Sequence, residues 1–93
     1  MNIGEHEYRI KQMNAIELLA LRSQIDFNNY ESSLKLYNIL LEKVEVKAGD
    51  RWIQVKDGNI FVPAGIENDF KTVEALIEFV LEYLKSVFMK SND

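Results

Sequence analysis

Apolar residues recur every three or four positions through residues 13–25, MNAIELLALRSQI, and fill more than one side of the helix that this spacing predicts. Asn14 is a good N-cap, and Glu17 at the third helical position gives the spacing of a capping box. Met13 and Leu18 can close a hydrophobic staple over that cap. Leu18, Leu21, Arg22 and Ile25 follow at helical spacing, with Leu19 and Ala20 beside them. A helix apolar on so broad a front is either buried widely or binds something.

The flanking pattern predicts the remaining elements. Ile3, Tyr8 and Ile10 around Gly4 read as a short hairpin, with residues 8–12 as its better strand and Tyr8 and Ile10 on one face. Residues 26–29, Asp-Phe-Asn-Asn, break the first helix. A second helix starts at Asn28 or Asn29, where Asn28 and Glu31 repeat the capping-box spacing. Its stripe is Tyr30, Leu34, Tyr37, Leu41 and Val44, with Leu36 and Leu40 alongside, and it runs antiparallel to the first helix. The period then drops to two. A three-stranded meander is predicted over residues 44–62, turning at Ala48-Gly49-Asp50 and at Asp57-Gly58 and ended by Pro63 and Gly65. Asn68 or Asp69 caps a long last helix reaching about Lys90, with Val73, Leu76, Ile77, Val80, Leu84, Val87 and Phe88 as its core stripe. Glu74, Glu78 and Glu82 stand on the opposite side. The expectation is an α+β fold in a single domain, residues 1–93: an N-terminal β-hairpin, two antiparallel helices, a three-stranded antiparallel meander and a long C-terminal helix.

Composition narrows the function classes. Apolar residues are 47% of the chain, too many for a disordered tail, yet no run is long enough to span a membrane. The N-terminal residues do not read as a secretory signal. The net charge is −4 and the 11 basic residues are scattered singly, which argues against nucleic acid as a partner. No cysteine is present, so disulfide frameworks and thiolate zinc sites are excluded, and a reducing cytoplasm fits.

Little in the sequence points to catalysis, a cofactor or a metal. His6, the only histidine, sits between Glu5 and Glu7 in a turn-like stretch, and one imidazole with neighbouring carboxylates reads as an exposed turn rather than a metal site. Ser23, Ser32 and Ser33 have no nucleophile motif around them. Glu74, Glu78 and Glu82 lack the Glu-x-x-His pairs of helical di-metal sites and read as a solvated face. Trp52 reads first as a cap on a small core and second as an exposed anchor for a partner. The helix pair lacks the groove-reading side chains of a DNA-binding helix-turn-helix.

An excess of apolar side chains remains. Leu19, Leu36, Phe79, Leu81, Tyr83 and Met89 lie off the main stripes, and with Trp52 they form the candidate protein-binding surface. A fold that covers both sides of a helix would bury them. Otherwise they serve self-association into a homo-oligomer or the binding of another chain.

Three segments carry a resemblance: YRIKQMNAIELLALRSQIDF, LYNILLEKVEVKAGDRWIQV, and VPAGIENDF leading into a helix that ends LKSVFMKSND. In this order, over about residues 7–90, the chain resembles the small tail assembly chaperones of long-tailed phages and prophages of Gram-positive bacteria. The resemblance implies a non-enzymatic protein, working in the cytoplasm of the bacterial host and absent from the finished virion. Its partners would be the phage tape measure protein, which it coats, and the tail tube protein, which displaces it. No catalytic motif carries over. Two other readings stand beside this one: a structural head–tail or tail protein retained in the virion, and a small ligand-binding domain.

Overall fold

The computed structural model describes residues 1–29, 31–32 and 36–90. It is α+β, and its elements follow in the expected order. β1 (Asn2–Ile3) and β2 (His6–Ile10) form the first hairpin, followed by α1 (Ala15–Gln24) and the short α2 (Tyr37–Leu41). Next come β3 (Val44–Ala48), β4 (Arg51–Gln54), β5 (Lys56–Asp57) and β6 (Ile60–Phe61). A 3-10 turn (Ile66–Asn68) leads into the long α3 (Phe70–Lys90). β1 to β4 form one antiparallel sheet in the order β1-β2-β3-β4, and β5 and β6 form a separate two-stranded ribbon.

The N-terminal hairpin is therefore the edge of the main sheet. Tyr8 pairs with Val46, Arg9 with Glu45 and Ile10 with Val44. This register puts Tyr8, Val44 and Val46 on the helix side, where all three are buried. The meander expected over 44–62 is bent at Val55. The Val55 amide donates to Val44 O at 2.9 Å and the Val62 amide donates to Val55 O at 2.9 Å. Val55 and Lys56 are consecutive and both buried, so strict alternation fails there and the third strand leaves the sheet as a ribbon.

The last turn differs from its expected position by one residue. Asp57 pairs with Ile60, so the two-residue loop is Gly58-Asn59 and not Asp57-Gly58. Gly58 has φ +61° and no non-glycine residue among those described has positive φ, which is the pattern of a II′ turn, with glycine first. The loops Gly4-Glu5 and Gly49-Asp50 share this arrangement.

The second helix does not run unbroken to Val44 as its pattern suggested. Among the described residues Glu31 and Ser32 are helical, a separate short helix covers Tyr37–Leu41 after a turn at Leu36, and Val44 belongs to β3. The expected stripe positions Tyr30 and Leu34 lie outside the described residues. Asn29, rather than Asn28, makes a capping-type bond, its Oδ1 accepting from the Ser32 amide at 3.1 Å.

Leu40, Val44, Val46, Val55, Leu76, Val80 and Leu84 are fully buried, and α1 and α2 both pack on α3 around them. Burying side chains of this kind contributes about 1.5–3 kcal/mol each before entropy is charged against it. Lys56 is the one buried charged residue among those described. Its Nζ donates to Gly58 O at 2.8 Å and lies 3.5 Å from Glu42 Oε1, tying the ribbon to the end of α2. No helix among the described residues is long and apolar enough to cross a membrane.

Candidate functional site

α1 starts where Asn14 predicts. The Asn14 Oδ1 accepts from the Glu17 amide at 2.9 Å. The reciprocal half of the capping box is not made, because the Glu17 carboxylate pairs with Lys43 Nζ at 3.1 Å instead. Leu21 and Ile25 are buried, and Met13 and Leu18 pack against the core. Those residues fix which side of α1 faces inward.

The opposite side is also apolar. At 100° per residue, Ile16, Leu19, Ala20 and Ser23 fall on one stripe, with the i, i+3, i+4, i+7 spacing of a helix-packing face. Ile16 is 78% exposed and Leu19 is 53% exposed, and Ala20 and Ser23 are exposed beside them. Ser23 Oγ donates to Ala20 O at 2.7 Å, so its hydroxyl is turned back onto its own helix. The stripe therefore offers two large apolar side chains and two small residues that permit close approach. Covering Ile16 and Leu19 would contribute up to about 1.5–3 kcal/mol each.

The other nominated surface residues do not join this stripe. Leu81 is 7% exposed and belongs to the core, because α3 lies against α1 and α2 on a front wider than its main stripe. Leu36 and Phe79 are half-buried, with Leu36 packed against the core cluster. Tyr83 and Met89 are exposed on α3 but stand about 120° apart around it. Met89 borders a hollow of about 220 Å³ with Phe27, Asn28, Lys85 and Phe88, where the Phe27 and Phe88 rings meet edge to face at 5.9 Å.

Trp52 is half-buried and is not a cap on the core. The register pairs it with Lys47 on the outer face of the sheet. The Arg9 guanidinium lies 4.2 Å from its ring centroid and Lys47 Nζ 6.0 Å away, while Arg9 Nε also bonds Glu45 Oε1 at 2.8 Å. The ring is held by cations on the solvent side.

Two features escaped the sequence reading of the surface. Ile16 completes the outer stripe of α1, and its i, i+3 relation to Leu19 was the available signal. Phe70, 76% exposed, opens α3 beside a hollow of about 450 Å³ lined also by Glu67, Asn68, Val73, Glu74 and Ile77. No contiguous pattern marks that hollow, because the 3-10 turn supplies two of its six lining residues.

A cleft of about 290 Å³ with mixed polar and apolar walls separates the first hairpin from the start of α3. His6, Tyr8, Asp69 and Thr72 line it with Ile3, Glu5 and Pro63–Ile66. Asp69 caps α3: its Oδ1 accepts from the Thr72 amide at 3.2 Å and its Oδ2 from Thr72 Oγ1 at 2.8 Å. Burial, and after it the Asp69 carboxylate, pushes the Tyr8 hydroxyl above the usual phenol value of 10.0. Among the described residues no group of three or more His, Cys, Asp or Glu side chains is placed to hold a metal ion.

No protein-family model, curated protein or solved structure matches this chain.

Proposed function

We propose that this chain is a non-enzymatic chaperone of helical protein segments, a small tail assembly chaperone of a long-tailed phage or prophage. In this reading its client is the tape measure protein, met in the cytoplasm of the bacterial host and later surrendered to the tail tube protein. One observation carries the proposal: the outer stripe of α1, with Ile16 and Leu19 in water at helix-packing spacing. An amphipathic helix laid along such a stripe buries its own apolar face and needs no chemistry from the chaperone. The acidic surface, net charge −4, keeps the loaded complex soluble.

The test is co-expression with the tape measure protein encoded beside this chain, or its helical fragments, followed by affinity capture. A soluble complex, lost on Leu19→Asp combined with Ile16→Asp in a chain that keeps its circular dichroism, is the expected result. A tape measure protein that stays insoluble and uncaptured would remove the proposal. Recovery of this chain from purified virions would favour a structural tail protein instead.

A further inference from the structure

The cleft between the first hairpin and the cap of α3 is lined by two oxygen acceptors whose capacity the fold does not exhaust, the Tyr8 hydroxyl and the Asp69 carboxylate. Tyr8 is only 2% exposed, yet no described residue hydrogen-bonds its hydroxyl. Among the described residues no buried side-chain oxygen or nitrogen lacks a partner, so this hydroxyl reaches the cleft surface. Beside it, each Asp69 oxygen takes one hydrogen bond from Thr72 and keeps further acceptor capacity. Glu5 and Asp69 are the charged groups lining the cleft, with His6, and no lysine or arginine joins them. An anion is therefore disfavoured, although a helix N-terminus would otherwise attract one: the Asp69 carboxylate already occupies that position.

We propose that this cleft is a guanidinium-binding site, in which the Tyr8 hydroxyl and the Asp69 carboxylate receive the arginine side chain of a partner protein. A planar fork with five donors can reach a phenol oxygen and a carboxylate together, which a strongly hydrated ammonium does less well. Ile3, Pro63 and Ile66 line the walls and suit the methylene stem. A volume of about 290 Å³ holds a side chain and excludes a folded segment. A metal ion is a poorer occupant, since no three ligating side chains converge among the described residues. The site is separate from the α1 stripe, so it stands whether or not the client is a tape measure protein.

Amide chemical-shift titration of the full chain with methylguanidinium, at pH 7 and constant ionic strength, tests the proposal. Saturable shifts confined to the cleft are expected, and Nα-acetyl-arginine methylamide should reproduce them. Tyr8→Phe keeps the ring in the core and should weaken binding roughly tenfold, the usual effect of losing one hydrogen bond to a charged group. Asp69→Ser keeps a capping oxygen on α3 and should weaken it at least as much. Linear, unsaturable shifts would overturn the proposal. So would equal binding by urea or n-butylammonium, an unchanged affinity in Tyr8→Phe, or failure of the arginine amide to bind where methylguanidinium does.

Discussion

α1 and α3 each bury one apolar stripe, and they differ in what lies behind it. Behind the core stripe of α3 stand Glu74, Glu78 and Glu82, all exposed, so charge alone tells the helix which way to face. Behind the core stripe of α1 stand Ile16, Leu19 and Ala20, and its orientation is decided by its neighbours. The long helix leaves Phe70, Tyr83 and Met89 exposed, but as scattered positions that form no stripe. The short one keeps an apolar side in water that folding does not need. Exposed surface of this kind is a standing liability unless a partner covers it.

Substitutions to aspartate separate the two cases most sharply. Leu81→Asp places a charge in the α3 interior, where the residue is 7% exposed, and should cost several kcal/mol, enough to unfold a chain this small. Urea titration followed by circular dichroism would show it, and a native-like transition would mean that α3 is less closely covered than described. The two caps come next. Asn14→Ala removes one bond from α1, and Asp69→Ala removes two from α3. Losses of about 0.5–2 kcal/mol are expected, with Asp69→Ala the larger, read as a shift in the denaturation midpoint at constant slope. Leu19→Asp should have the smallest effect, within about 0.5 kcal/mol of the parent, because the side chain has little native packing to lose. A large loss there would mean that the outer stripe of α1 is part of the fold.

The same contrast explains what could be read in advance. Asn14, Asp69, the Tyr8–Ile10 alternation and the stripe from Val73 to Leu84 were legible because each is a local pattern with a local cause. The two faces of α1 were legible in part: Leu18, Leu21 and Ile25 fall inward and Leu19 outward as their spacing implies, while Ile16 was not assigned to the outer face. The core-cap reading of Trp52 failed for a non-local reason. Its face depends on a register with Lys47 and on Arg9, from a strand far away in sequence. The turn at Gly58-Asn59 was missed by one residue because Asp-Gly signals a I′ turn, whereas the II′ geometry places glycine first. Lys56 was invisible, because its burial needs Gly58 O and Glu42 together. Of the candidate site, the excess of apolar residues was legible. Its division between a stripe on α1 and scattered positions on α3 was not.

The sheet order has a consequence for how fast the chain can fold. Three of its four strand pairings, β1–β2, β3–β4 and β5–β6, close over two-residue loops. Hairpins of this kind form in about 1–10 μs. The fourth, β2 against β3, joins strands separated by residues 11–43, and with them α1 and α2. The entropy of closing that long loop falls on a single seam, from Tyr8 opposite Val46 to Ile10 opposite Val44. By this topology the seam is expected to close last: weakening a pair there should slow folding, while a change on the outer stripe of α1 should leave the folding rate unchanged.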